Sequence, residues 1–294
     1  MERQLWRLIL KVLDEIYKPK GEGRYEFSSR RIVEIWMWSV IHDRPISWSC
    51  ESSNWPLEYR QKRFPSNTTM SRRLRCKRVR LLLKMMETKL LRSDDSSGMV
   101  WLMDGKPLPI SGCSKDKQAG YGRAAGGKAK GYKLHAIIGE NGNVAEWRVA
   151  PMNKDERVMA RRMLLGGALQ GYVVADSNYD SNKLHHICDE KGNLQLVVPR
   201  RYGKHRGFGH RKQTPGRLRS KDILENPFPQ FGNSLMQARE GIERFFGNLT
   251  NWGGGLSGLP AWVRTHRRVQ RWVQAKLMLF TLKHQHKITT YVVS

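Results

Sequence analysis

Two short apolar runs, Met99-Val-Trp-Leu-Met103 and Tyr172-Val-Val-Ala175, each lead directly into an aspartate, Asp104 and Asp176. Apolar runs this short, bounded by polar residues, read as strands buried in a sheet. Both aspartates then project from the carboxyl edge of one sheet, where open α/β sheets bind their ligands. Between the runs, Tyr132 to Ile138 and Val144 to Val149 flank Glu140-Asn141-Gly142-Asn143, whose Asn-Gly pair is a strong hairpin signal. Residues 154–169 read as a helix, Ser181 to about Glu190 as another, and Leu194 to Val198 as a further strand. The order β–β–β–α–β–α–β followed by helices predicts an α/β fold, a mixed sheet flanked by helices.

Ahead of this region the periodicity is helical. Leu5, Leu8, Ile9, Val12 and Ile16 recur at helix spacing, and Ile32, Ile35, Trp36, Met37 and Val40 mark a second apolar helix capped by Ser28 or Ser29. Pro65-Ser66-Asn67 reads as a turn and a capping serine opening a basic helix through Arg75. Val79, Leu82, Leu83, Met86 and Leu90 continue the pattern. A polar stretch, Ser93 to Gly98, reads as a linker. Residues 200–221 read as a solvated basic loop, and Ser234 as a helix cap forming a capping box with Gln237. Gly253-Gly254-Gly255 closes that region. A last helix sets Val269, Trp272, Val273, Leu277 and Phe280 on one face. The expected organisation is a small all-helical region over 1–95, a mixed α/β domain over 99–283 with a basic insert at about 200–232, and a tail over 284–294.

Charge narrows the partners. The chain carries 53 Lys and Arg against 26 Asp and Glu, a formal net charge of +27. Such an excess favours a polyanion, because phosphates release counterions when they meet surface cations. Nucleic acid is the expected partner, with a ribosomal-type or membrane-surface protein as the ordinary alternative. Cys50, Cys76, Cys113 and Cys188 form no CxxC pair, so neither a zinc ribbon nor a disulfide framework is expected. His185, His186 and Cys188 lack a second ligand pair and read as polar decoration of a helix. No stretch reads as a signal peptide or a membrane span, so a cytoplasmic, nucleoid-associated protein is expected.

Taken singly, an aspartate after a strand ordinarily caps a turn, and a glutamate on a helix ordinarily faces water. The combination points to chemistry. Two acids on one sheet edge and one from a later helix can hold magnesium, which takes oxygen ligands and retains waters and substrate phosphates. On the helix, Leu235, Ala238, Ile242, Phe245, Phe246 and Leu249 form an apolar stripe at about 100° per residue. Arg239 and Glu243 border that stripe, which predicts a partly sheltered Glu243, whereas Glu240 points to solvent. Asp176 follows its strand directly; Asp180 precedes Ser181 and suits a helix cap.

The chain resembles the DDE transposases of bacterial insertion sequences, specifically the group with a Tyr–Arg–Glu–Lys signature. The residues that carry the resemblance are Leu102-Met-Asp104-Gly-Lys-Pro-Leu-Pro, Gly131-Tyr-Lys-Leu-His135, Ala175-Asp176-Ser-Asn-Tyr179-Asp-Ser and Arg239-Glu-Gly-Ile-Glu243-Arg-Phe-Phe-Gly. It implies a ribonuclease-H-like catalytic domain whose metal-binding acids are Asp104, Asp176 and Glu243. It also implies Mg2+ or Mn2+ as cofactor, two ions, double-stranded DNA (element ends and target) as partner, and self-association in a paired-end complex. Against the signature, Arg239 and Glu243 match, while Met236 and Thr250 replace its Tyr and Lys. Asn178 stands where relatives often have Gly.

The implied activity is DNA cleavage and strand transfer at element ends, with the amino-terminal region binding those ends. Expected DNA contacts are Asn67, Thr69, Arg72 and Arg73 on the basic helix, with Lys106, Lys133, Arg200, Arg201, Arg239 and Arg244 around the acids and the basic loop. A catalytically inactive DNA-binding relative and a stand-alone nuclease of the same fold are the alternatives; retention of all three acids argues against the first.

Overall fold

Tryptophan organises the amino-terminal helices. In a computed structural model of the protein, the described residues are 2–19, 25–91, 98–201, 213–251, 255–256 and 258–292. The chain divides into two compact units: Met1–Ser93 with Trp252–Gly255 and Arg271–Ser294, and Asp94–Asn251 with Leu256–Gln270. The first unit contains α1 (Glu2–Ile16), α2 (Ser29–Ile41), α3 (Ile46–Ser49), α4 (Asn67–Arg73) and α5 (Lys77–Leu91). α1 buries Leu5, Trp6, Ile9, Val12 and Leu13, while α2 is buried along almost its whole length. Ser28 caps α2, its hydroxyl accepting the Arg31 N–H at 3.1 Å. Ser66 caps α4 through the Thr69 N–H in the same way. Trp6 meets Trp38 edge-on at 5.1 Å, and Trp38 stacks on Trp55 at 4.8 Å. Such ring pairs add about 0.5–1.5 kcal/mol each beyond their burial.

The second unit is built on a six-stranded sheet of β1 (Val100–Pro109), β2 (Gly120–Ala124), β3 (Gly127–Gly139), β4 (Val144–Pro151), β5 (Gly171–Val174) and β6 (Leu194–Val197). The order is β2-β3-β1-β5-β6, with β4 paired to β3. The first four strands pair antiparallel; β5 joins β1, and β6 joins β5, in parallel. Helices α6 (Glu156–Gly166) and α7 (Asn182–Lys191) precede and follow β5, and α8 (Pro215–Glu225), α9 (Gln230–Ala238) and α10 (Glu240–Asn251) come after the sheet. This is the expected mixed α/β, ribonuclease-H-like arrangement. On one face of the sheet, Trp101, Met103, Val173, Ala175 and Leu196 pack against Ala160, Met163 and Leu164 of α6 and Leu184, Ile187 and Cys188 of α7.

Several local expectations are corrected. β2 was not foreseen. Ser234 caps nothing: it lies inside α9, its hydroxyl donating to the Gln230 carbonyl at 3.0 Å. The basic stretch is not all loop, because α8 begins at Pro215 and buries Arg217 and Ser220; its residues 202–212 lie outside the described residues, as do linker residues 93–97 and Gly253-Gly254. The last helix, α11 (His266–Val292), runs into the stretch expected as a tail. The Asn-Gly hairpin is present, with Gly142 at φ +81° between β3 and β4.

Gly171, which opens β5, has φ +88°, and a Cβ there would lie 2.2 Å from the Met99 carbonyl oxygen. Gly171→Ala is therefore expected to destabilise the sheet by more than about 1 kcal/mol. A thermal unfolding curve with an unchanged midpoint would contradict this account of β5.

Candidate active site

Strand register brings two of the three acids together. β1 and β5 run parallel with Val100 beside Tyr172, Trp101 beside Val173 and Leu102 beside Val174. The partners differ by the same number as the two aspartates (172 − 100 = 176 − 104 = 72). Continuing the register two residues sets Asp104 beside Asp176, on the face opposite Trp101, Met103 and Ala175. β1 does not end at Asp104, as the apolar run suggested. It continues to Pro109 with β3 as its partner, so Asp104 lies mid-strand, where parallel pairing stops.

Each aspartate is held locally. Asp104 Oδ1 accepts the Gly105 N–H at 2.7 Å. Asp176 caps a 3-10 turn, Ser177–Tyr179, accepting the Asn178 backbone and side-chain N–H groups, both at 3.0 Å. Burial pushes Asp104 up to about 6, and repulsion from Asp176 and Glu156 adds to it, against the Gly105 hydrogen bond and the charge of Arg239. Asp176 is raised for the same reasons, burial first, then Glu156, opposed by Asn178 and Arg239. Burial, with too little neighbouring positive charge to offset it, is what raises both carboxylates.

Glu243 is on α10, which packs against β1: a Cβ at Gly241 would lie 2.9 Å from Leu102 Cδ1, on the aspartates' face. Contrary to the expected shelter, its side chain is 60% exposed, and Oε1 accepts from Arg239 Nη2 at 3.0 Å. The apolar stripe is real in Leu235, Ile242, Phe245, Phe246 and Leu249, but the helix carrying it is broken at Arg239, between α9 and α10. Arg239 thus acts on both aspartates and pairs with Glu243. Among the described residues, no three His, Cys, Asp or Glu side chains gather closely enough to hold a metal by themselves.

Two residues of this neighbourhood escaped the sequence. Glu156, at the start of α6, repels both aspartates and pairs with the Lys133 ammonium. The stem of Lys133 lies against Gly105, where a Cβ would stand 2.8 Å from Lys133 Cδ. Glu156 gave no signal because an acid in a helix's first turn is ordinary. Tyr179 is fully buried, and its hydroxyl has no partner among the described residues. Burial raises its pKa well above the ordinary tyrosine value, and Glu156, Asp104 and Asp176 raise it further.

The expected DNA contacts divide. Asn67, Arg72 and Arg244 are exposed, and Thr69 is half-buried. Arg73 is a correction: it is buried, its guanidinium 3.8 Å above the Tyr25 ring and donating to Ser29 Oγ at 3.3 Å. Lys133 is another, since Glu156 holds it with only 12% of its side chain exposed. Arg200 pairs with Glu225, and the Arg201 N–H donates to Asp180 at 3.1 Å. Lys106 is half-buried, which lowers its pKa, and donates to Thr250 Oγ1 at 2.6 Å. His185 and Cys188 are buried rather than decorative, with His185 3.8 Å from Asp180. Asp180 is not the expected helix cap. It is buried against Arg217 at 2.6 Å, and these partners hold its carboxyl below the ordinary range although burial alone would raise it.

The transposase DDE domain family matches residues 95–282, which contain the sheet, both aspartates and Glu243. The chain belongs to the DDE transposases. It is thus an enzyme of DNA cleavage and transfer, a DNA-binding protein of a family that works with divalent metal ions. No curated protein matches the transposase. No helix among its described residues is long and apolar enough to cross a membrane. The donor set fits a hard divalent cation: oxygen ligands only, two of them raised in pKa by burial and by neighbouring acids, beside an orphaned buried hydroxyl.

Two outcomes follow. Asp180→Asn removes the buried carboxylate that pairs with Arg217 and is expected to cost about 3–5 kcal/mol, whereas Asp176→Asn, at a carboxyl that burial already raises, is expected to cost no stability; equal losses in urea unfolding would contradict the division of roles. Because the Asp104 pKa is raised from 3.8 to about 6 in the fold, its contribution favours the native state below about pH 4 and is lost as pH rises to 6. In metal-free buffer, Asp104→Asn should therefore gain stability relative to the parent across that window. A difference that is flat with pH would refute the shift.

Proposed function

We propose that the transposase cleaves DNA at the ends of an insertion sequence and joins the freed ends to a target, with Asp104, Asp176 and Glu243 as the catalytic, metal-binding acids. The adjacency of Asp104 and Asp176 on one face of the sheet, each with a raised pKa, is the observation that carries this reading. Magnesium or manganese, as two ions, is the proposed cofactor. Bound there, the metal supplies positive charge to the attacking and leaving oxygens of an in-line displacement at phosphorus.

The chain's own residues have separate tasks. The strand register fixes the spacing of the two aspartates, and the Gly105 and Asn178 hydrogen bonds orient their oxygens. Glu243 joins them by exchanging Arg239, whose guanidinium is then free to take a phosphate in a bidentate grip. In cleavage, a water oxygen bonds to the end phosphorus as the bond to the 3′-oxygen breaks, leaving a 3′-hydroxyl. In transfer, the oxygen of that hydroxyl bonds to a target phosphorus as the bond from that phosphorus to the target's 3′-oxygen breaks. The attacker's proton passes to solvent, and the leaving oxygen takes one up as a new 3′-hydroxyl. One site serves both steps because both are the same displacement.

The region 1–95 is proposed to bind the element ends, with Asn67, Thr69 and Arg72 toward the DNA. The region 99–283 is proposed as the catalytic domain, with Lys106, Arg200, Arg201, Arg239 and Arg244 as phosphate contacts. Joining two ends requires a paired complex, so self-association accompanies the reaction. The purified protein should nick a duplex copied from the DNA bordering its coding frame in the presence of Mg2+ or Mn2+. Asp104→Ala should lower that rate by about a hundred- to a thousandfold or more, of the order seen when one group that stabilises the transition state is removed, and still bind the duplex. Undiminished nicking by the variant would overturn the assignment. A protein that nicks but never joins pre-cut ends would be the stand-alone nuclease instead.

A further inference from the structure

Tyr179 closes the 3-10 turn that Asp176 caps, its N–H donating to the Asp176 carbonyl at 3.1 Å. The residue is fully buried, its ring in the core with Trp101, Met103 and Ala175. The turn follows β5, which stops at Val174 while β1 runs on to Pro109, so it lies where the parallel pairing has ended. Glu156, Asp104 and Asp176 are the charges that act on the hydroxyl. Each of these acids already accepts from another donor: Glu156 from Lys133, Asp104 from Gly105 and Asp176 from Asn178. None accepts from Tyr179, whose hydroxyl has no partner among the described residues.

A buried hydroxyl left unpaired costs stability. Phenylalanine would fill the same place in the core without that cost, so packing accounts for the ring and not for its oxygen. The surrounding carboxylates, when ionised, can only accept. A water among them can give two hydrogens to the acids and take one from the phenol, which satisfies every group at once. We infer that Tyr179 is a positioning residue of the cation site, its O–H donating to a water that bridges it to the Asp104 and Asp176 carboxylates. Magnesium keeps several waters when it binds carboxylates. A hydroxyl fixed by the core orients one of them and, through it, the oxygens of the two aspartates, as outer partners of metal ligands do.

This inference rests on the proposed function, and metal binding without DNA tests it. Free Mn2+ is measured by electron paramagnetic resonance in titrations of the full-length parent, Tyr179→Phe and Asp104→Asn. Each protein is also unfolded in urea in metal-free buffer. Asp104→Asn should bind Mn2+ more weakly than the parent, which locates the ion at the acids. Tyr179→Phe should bind it about ten- to a hundredfold more weakly, as when a group that orients a metal ligand is removed. Its metal-free urea midpoint should be no lower than the parent's, because the oxygen it loses had no partner. A Tyr179→Phe protein that binds Mn2+ like the parent overturns this inference alone. So does one that loses metal-free stability, since the hydroxyl would then be holding the fold rather than the water. Equal binding by the parent and Asp104→Asn, or none by either, overturns the proposed metal-binding acids and this inference with them.

Discussion

The parallel pairing of β1 with β5 is the constraint on which the rest of the site depends. It is three residue pairs long, and its register alone decides whether Asp104 and Asp176 share a face or point to opposite sides of the sheet. A slip by one residue would turn one aspartate into the Trp101 and Met103 core. The sheet resists that slip because Trp101, Met103, Val173 and Ala175 are all buried against α6 and α7. Moving them would expose apolar surface worth about 1.5–3 kcal/mol for each large side chain. The hydrophobic core on one face thus holds a pair of mutually repelling carboxylates on the other.

That repulsion organises the surroundings. Arg239, at the break between α9 and α10, offsets part of the negative charge and pairs with Glu243. Glu156 adds to the negative charge and pairs with Lys133. Asp180, four residues past Asp176, is committed to Arg217, so two aspartates close in sequence have opposite environments. One is short of positive charge and the other is supplied with it. Only the first has capacity left for a ligand.

The apolar runs before Asp104 and Asp176 were legible because central strands buried on both faces must be continuously hydrophobic. The Asn-Gly hairpin was legible because its turn demands positive φ. β2 was not legible: Gly120-Tyr-Gly-Arg-Ala has no apolar period. Its glycines answer instead to Asn153 and Met152, from which a Cβ would stand 2.1 and 2.6 Å away. Arg73 read as a surface cation because nothing in its helix reveals the Tyr25 ring above it. The Asp180–Arg217 pair spans 37 residues and left no local mark, so Asp180 passed for a cap. The break at Arg239 was hidden for a related reason. The apolar stripe continues across it, and periodicity reports which face is buried, not whether the backbone is continuous. Contacts between distant segments, not propensities, account for the misses at β2, Arg73 and Asp180.

The proposed reaction requires first that the Asp104–Asp176 pair gather a divalent cation. Iron-directed backbone cleavage locates such an ion without relying on DNA. The protein is incubated with Fe2+, ascorbate and peroxide, and its fragments are mapped by mass spectrometry. Cuts confined to β1 near Asp104, to the segment after β5 near Asp176 and to α10 near Glu243, suppressed by excess Mg2+, are the predicted result. Cuts elsewhere in the chain, or the same pattern when both aspartates are replaced by alanine, would contradict it.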